Sequence, residues 1–344
     1  MAKDQAIFGQ KQFGIIGNGS WATALAKILT DNGFRVQWWM RQQPVATHLA
    51  SRFHNPHYLS SVMFAPDSIF PGSDIEKVIR ASDIVVLATP SAFMGPLLEA
   101  LPRDIFQNKI IVSAVKGILP GSHDLINDYL AREFNGDMED YVAITGPCHA
   151  EEVAEERLSY LTFSGLNKTV AGGVAACFNN NYIHTTCNHD VWGSQYAAVL
   201  KNIYAIGAGI AHGAGYGDNF LSVYTTNCYR ELYRFLTVQF EKLHPSTDWP
   251  DFHTSAYLGD LLVTCYSPHS RNRTLGTLIG KGYSVKAAIA EMNMVAEGYF
   301  AAKGMRSVIR HLATEMPIAE AIYNVLWEGR QVEEGLNEIK KVLN

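Results

Sequence analysis

The sequence predicts an α/β domain built as a doubly wound parallel sheet, followed by an all-α domain, with the division at residues 1–188 and 189–344. Three observations carry this. Short apolar runs alternate with helical patterns through the first half of the chain, the signature of β-α units. A glycine-rich turn sits between the first run and the first helix. After Asn188 no convincing strand appears, and helical periodicity takes over.

The strand candidates are Phe13–Ile16, Arg35–Trp39, Ile84–Ala88, Ile110–Ser113, Tyr141–Ile144, Tyr160–Phe163 and Tyr182–Thr185. Several are nearly continuous in apolar residues, as expected of strands covered on both faces. Helix candidates lie between them: Trp21–Asn32, Val45–Ser51, Asp74–Arg80, Ala92–Leu101, Ser122–Phe134, Ala150–Glu155 and Lys168–Phe178. Gly33 stands just past the first helix, where a left-handed cap is wanted. The second half reads as helices over Gln195–Gly209, Phe220–Leu243, Ser255–Cys265, Thr274–Lys281, Val285–Met292, Ala296–Met305, Pro317–Trp327 and Val332–Val342, interrupted by a Pro-containing loop at His244–His253.

Gly17-Asn18-Gly19-Ser20-Trp21-Ala22 follows the first strand and opens the first helix, the context a dinucleotide fingerprint requires. Glycines let the backbone turn sharply and approach a pyrophosphate, which a helix N-terminus then receives. This makes the first domain Rossmann-type. NAD-specific sites place an acid at the end of the second strand, yet no Asp or Glu occurs between Asp31 and Asp67. Arg41 stands there instead, suited to a 2′-phosphate, so the cofactor is expected to be NADPH, with NADH as the alternative. Thr89-Pro90-Ser91, Lys116 and the Gly146–Glu151 segment each follow a strand, on the side where open sheets bind ligands.

Composition narrows the function class. A net charge of -5, with Lys and Arg singly or in pairs, leaves no basic footprint for nucleic acid. Residues 1–12 hold Lys3, Asp4 and Lys11 and no apolar core, unlike a signal peptide. Tyr196–Ala211 is apolar but too short to span a bilayer. A cytoplasmic protein without a membrane segment is expected. Five cysteines, with no Cys-x-x-Cys, argue against a disulfide framework or a zinc ribbon. The cluster His184, Cys187 and His189 matches no standard finger, and no metal is expected.

Three polar constellations mark the helical half. Lys201-Asn202 interrupts a small apolar helix, and a lysine there is costly to bury unless it is used. Gly259-Asp260-Leu261 is the second. The third is Ser270-Arg271-Asn272-Arg273, directly before a helix, a good receptor for a phosphate.

With these elements the sequence resembles the bacterial NAD(P)-dependent glycerol-3-phosphate dehydrogenase family. The resemblance runs through the fingerprint, Val115-Lys116-Gly117, Gly146-Pro147, Lys201–Gly209, Gly217-Asp218-Asn219, Leu258–Leu261, Ser270–Arg273 and Glu297-Gly298-Tyr299. It implies reversible reduction of dihydroxyacetone phosphate to sn-glycerol 3-phosphate, which feeds glycerophospholipid synthesis. Lys201 matches the family's general acid/base, with Lys116 and Asp260 in the catalytic group. Lys116, Gly146, Cys148, Lys201, Asp260, Ser270, Arg271 and Asn272 match substrate positions. Gly17, Gly19, Ser20, Trp21, Arg41, Lys116, Ala150, Arg271, Val295 and Glu297 match cofactor positions. A homodimer follows by analogy only. Five residues depart from the pattern: Ala22 for the fingerprint's third glycine, which the pattern tolerates, Cys148 for a hydroxyl residue, His149 for an aromatic, Tyr257 for a glycine and Asn227 for an arginine. Two rival readings are a 3-hydroxyacid or 6-phosphogluconate type dehydrogenase, marked by a substrate carboxylate, and a non-catalytic NADPH sensor.

Overall fold

The computed structural model describes residues 8–243, 248–292 and 294–344. The N-terminal segment 1–7, residues 244–247 of the expected loop and residue 293 lie outside the described residues. Residues 248–253 contain neither helix nor strand, as the loop expectation required.

The chain divides into two compact units. The first comprises Met1–Thr89, Phe93–Val115 and Ile126–Val191; the second comprises Pro90–Ala92, Lys116–Leu125 and Trp192–Asn344. In the first, strands β1 (Phe13–Ile16), β2 (Val36–Trp39), β3 (Ile69–Gly72), β4 (Ile84–Leu87), β5 (Ile110–Ser113), β6 (Tyr141–Thr145), β7 (Ser159–Ser164) and β8 (Ile183–Asn188) form one sheet. Their order is β3-β2-β1-β4-β5-β6-β7-β8. The order reverses between β1 and β4, so the loop leaving β1 lies at a topological switch point. Helix α1 (Ser20–Asp31) follows that loop, and Gly33, at φ +83°, comes just after it. Helices α2 (Gln43–Arg52), α3 (Ile75–Arg80), α4 (Ser91–Glu99), α5 (Ile126–Phe134), α6 (Ala150–Ala154) and α7 (Lys168–Phe178) complete the alternation. β1 and β4 are buried at every residue, which explains their unbroken apolar runs.

The sheet differs from the expected one in two places. β3 was not anticipated. It carries Pro71 and Gly72, which argue against a strand, but it sits at the sheet edge, where proline is tolerated. The expected all-parallel pairing also fails once, because β6 and β7 are antiparallel. Between them the five-residue α6 rises only about 7 Å, against about 17 Å for the length of β6. So short a helix cannot carry the chain back across the sheet face for a parallel crossover.

The second unit is helical. Its helices are α8 (Val191–Gly213), α9 (Asp218–Leu243), α10 (Asp260–Tyr266), α11 (Arg271–Gly280), α12 (Val285–Glu291), α13 (Glu297–Leu312), α14 (Pro317–Trp327) and α15 (Val332–Val342). The helix expected over Ser255–Cys265 is split: a π-helical turn at Ser255–Gly259 precedes α10, making Asp260 the first residue of a new helix. Helices α8 and α11 approach backbone to backbone. A Cβ on Gly209 would lie 2.1 Å from the Arg273 carbonyl oxygen, and one on Gly276 would lie 2.0 Å from that of Ile206. Only glycine admits this contact, which sets the lysine-bearing helix against the Ser-Arg-Asn-Arg helix.

A buried carboxylate ties α9 to α14. Glu231 accepts from the backbone N–H groups of Ile318 and Ala319, each at 2.9 Å, and from the Tyr204 hydroxyl at 3.1 Å. It thus satisfies two of the orphan donors at the start of α14. Replacing Glu231 with Ala strands all three donors in the core, and is expected to lower stability by about 3 kcal/mol. Equilibrium urea unfolding measures this, and a loss below about 1 kcal/mol would show that water can replace the carboxylate.

Candidate functional site

The first unit contributes the fingerprint loop. Gly17 has φ +138°, and a Cβ there would lie 2.6 Å from the Ala88 carbonyl oxygen on the way out of β4. Backbone conformation and packing therefore both demand glycine. Gly19 is different. Its φ is -76° and a Cβ would meet nothing within 4 Å. Nothing in the protein requires glycine at that position, whereas close approach by an external group does, as a pyrophosphate would need. The loop thus fits a dinucleotide. Ser20 is buried at the start of α1, and Trp21 beside it is half-buried. Arg41 follows β2 as an exposed guanidinium. Gly146 follows β6 at φ +110°, where a Cβ would meet the Tyr160 carbonyl oxygen at 2.8 Å. Cys148 and Ala150 are buried just beyond it, and His149 between them is the N-cap of α6.

The second unit assembles the charged groups. Lys201 on α8 is 5% exposed and Asp260 1%. Their Nζ and Oδ1 form a buried ion pair. Burial lowers the Lys201 pKa to about 8; Asp260 opposes that shift, and nearby Lys116 reinforces it. The second carboxylate oxygen of Asp260 is buried and accepts no hydrogen bond among the described residues. An acceptor of that kind, beside an ammonium close to neutrality, can take a hydroxyl hydrogen and hold it next to a proton carrier.

A second network surrounds the start of α13. Asn272 donates to Asn202 Oδ1 at 2.8 Å and accepts from the Gly298 N–H at 2.9 Å. The second N–H of its amide has no partner among the described residues. Glu297 accepts from the Ser91 hydroxyl at 2.7 Å and from the Ser91 N–H at 3.2 Å. Burial raises the Glu297 pKa, while Ser91, Arg271 and Lys116 pull it down. Val295 is half-buried two residues before it. Ser270 caps α11, its hydroxyl accepting from the Arg273 N–H at 3.3 Å, and Arg271 occupies the first position of that helix.

The structure therefore brings Lys116, Lys201 and Asp260 together, and places Asn272, Glu297 and Arg271 around the start of α13. Gly17, Gly19, Ser20, Trp21, Arg41, Gly146, Cys148 and Ala150 belong to the first unit. Two partners went unread in the sequence. In the sequence Asn202 stands out only as the neighbour of Lys201, and Ser91 only as a residue after a strand. Their adjacency to marked positions was the available signal. Of the departures, Tyr257 is 1% exposed and packs edge-on against Phe252, and Asn227 donates to the Val223 and Asn344 carbonyls. Both are structural. His184 and Cys187 lie an odd number of residues apart along β8, hence on opposite faces. Among the described residues no three His, Cys, Asp or Glu side chains group as metal ligands, and no helix is long and apolar enough to cross a membrane.

Residues 12–171 match the family model for the NAD-dependent glycerol-3-phosphate dehydrogenase N-terminus, and residues 190–337 match that for its C-terminus. A glycerol-3-phosphate dehydrogenase [NAD(P)+] of Enterococcus faecalis is 33% identical over 96% of this chain and 95% of its own length. One from Chlorobium limicola is 35% identical over 94% and 96%. The solved glycerol-3-phosphate dehydrogenase of Coxiella burnetii superposes with a TM-score of 0.88 at 23% identity, covering 96% of this chain and 99% of that one, and bears on the fold alone. Matched by both family models in order, and by relatives across almost its whole length, this chain belongs to the NAD-dependent glycerol-3-phosphate dehydrogenase family.

Proposed function

We propose that Lys201 is the proton carrier in the reaction of this family, the reversible NAD(P)H-dependent reduction of dihydroxyacetone phosphate to sn-glycerol 3-phosphate. One observation carries the assignment: a buried lysine, its pKa lowered by burial to about 8, paired with a carboxylate that keeps one oxygen uncommitted among the described residues. The nicotinamide dinucleotide supplies the hydride that reaches C2. As the carbonyl oxygen gathers negative charge, protonated Lys201 stabilises it and hands over its proton. Lys116 adds a second positive charge to the same surroundings. Asp260 orients Lys201 and accepts from a substrate hydroxyl through its uncommitted oxygen. Arg271 and Asn272 hold the phosphate, away from the reacting carbon. Arg41 reads the 2′-phosphate of NADPH; Ser20, Trp21, Ala150, Val295 and Glu297 complete the cofactor contacts, and Gly146, Cys148 and Ser270 those of the substrate. Residues 1–188 serve as the dinucleotide-binding domain and 189–344 as the catalytic one, the latter joined by residues 90–92 and 116–125. The same reading takes the enzyme as cytoplasmic and homodimeric, on the family resemblance alone. It supplies glycerophospholipid synthesis.

A spectrophotometric assay with dihydroxyacetone phosphate and NADPH tests this directly. The wild type is expected to turn over, and Lys201→Met to lose at least about a hundredfold in kcat while still binding NADPH. Reduction requires the charged lysine, so its kcat/KM is expected to fall as pH rises through about 8. Glycerol 3-phosphate oxidation, which requires the neutral lysine, should rise over the same range. Asp260→Asn removes the charge that raises this pKa and moves the break to lower pH; Lys116→Met moves it higher. A Lys201→Met enzyme with normal turnover, or a break that ignores both variants, would refute the role.

Arg271→Ala is expected to raise KM for dihydroxyacetone phosphate and lower kcat as well, because binding energy at the phosphate holds the carbonyl in place. Unphosphorylated dihydroxyacetone should be a poor wild-type substrate that the change scarcely affects. Unaltered kinetics with the phosphorylated substrate would locate the phosphate contact elsewhere.

A further inference from the structure

The fingerprint loop is held from behind. Its first carbonyl, that of Gly17, accepts from the indole Nε1–H of Trp38 at 2.7 Å. The second, that of Asn18, accepts from the Asn55 carboxamide at 3.0 Å. The third, that of Gly19, accepts from the Thr23 hydroxyl at 3.0 Å. These backing groups are themselves fixed. Trp38, Thr23 and Asn55 have no exposed surface, and Trp38 packs edge-on against Phe64. Asn55 spends its second N–H on Thr23 Oγ1 at 2.9 Å, and its oxygen accepts from the backbone N–H groups of His57 at 3.0 Å and Tyr58 at 3.3 Å.

A planar trans peptide points its C=O and the following N–H in opposite directions. Three consecutive carbonyls drawn into the protein therefore turn the N–H groups of Asn18, Gly19 and Ser20 away from it. Those of Asn18 and Gly19 find no acceptor among the described residues. Gly19 leaves open space where a side chain would stand. Outward amides beside a bare α-carbon make a concave donor surface for an anion.

We infer that Trp38 and Asn55 are positioning residues for the cofactor, which aim the loop amides at its pyrophosphate by anchoring the Gly17 and Asn18 carbonyls. Neither side chain touches the cofactor. Without its anchor a peptide unit can rotate, and the donor it carries leaves the anion. The inference rests on the dinucleotide reading of this loop and goes beyond it in naming what preorganises the amides.

The test is calorimetric titration of the full chain with ADP-ribose, which carries the pyrophosphate but no nicotinamide, joined to steady-state kinetics. Trp38→Phe keeps an aromatic ring and deletes the donor, along with part of the buried ring volume; Asn55→Ala deletes the second anchor. Each is expected to raise the ADP-ribose Kd at least about tenfold, the scale of one lost hydrogen bond to a charged group. KM for NADPH should rise in parallel, with kcat at saturating NADPH within about threefold of wild type, because chemistry in the second unit is untouched. If Asn55→Ala does not fold, Trp38→Phe decides alone. An unchanged Kd overturns the inference. So does a fall of kcat at saturation as large as the loss of affinity, which would mark general disruption. A wild type that fails to bind ADP-ribose would instead refute the dinucleotide reading of the loop, and the inference with it.

Discussion

The contact of α8 with α11 through Gly209 and Gly276 is the constraint on which the second unit depends. Helices normally pack with axes 8–10 Å apart, separated by side chains. Here the α-carbons face carbonyl oxygens directly, so any side chain at either glycine would force the pair open. Lys201 and Asn202 ride on one of these helices, Arg271 and Asn272 on the other. Their mutual placement is therefore set by backbone against backbone, with no rotamer to adjust. The 2.8 Å bond between Asn272 and Asn202 is a product of that fit. Gly298 extends it: a Cβ there would lie 2.4 Å from the Asn202 carbonyl oxygen, so α13 also begins in contact with α8.

Burial then gives this rigid frame its chemistry. An ammonium removed from water is costly unless paired, and a pair removed from water is still costly. The protein meets part of that cost by letting Lys201 approach neutrality, which is the property a proton carrier needs. Asp260 keeps it from going further. The π-helical turn at Ser255–Gly259 runs directly into α10, whose first residue, Asp260, carries the carboxylate paired with Lys201. Unwinding of this kind gathers at functional sites.

Most of the architecture was legible because the signals were periodic. β1, β5, α7, α14 and α15 coincide with their expected bounds, since apolar spacing and flanking breakers agree there. Legibility failed where local sequence and tertiary setting conflict. Pro71 and Gly72 hide β3, which forms only because its neighbour β2 supplies the pairing. The reversed strand β7 is buried at five of its six residues, as a parallel one would be, so its direction depends on the brevity of α6 rather than on its composition. In the site, Lys201 and Asp260 stood out as charges in apolar surroundings. Ser91 and Asn55 did not, because a small polar residue in a loop looks the same whether it faces solvent or completes a buried network. Only contacts between residues 206 and 37 positions apart reveal the difference.

The proline at the sheet margin has a consequence for how these molecules behave in a crowd. In β3 the carbonyls of Ser68 and Gly72 face β2, where they accept from Val36 and Met40. Alternation along the strand then turns Ile69 and Pro71 outward, to the open edge. Pro71 has no N–H to offer there. On that edge an incoming extended chain meets a single donor, from Ile69, on a strand of only four residues. Edge strands are the usual templates for self-association into fibrils, and natural proteins blunt them with such residues. The imide ring at position 71 makes this margin a dead end for strand addition, so the long sheet is guarded on that flank against polymerisation.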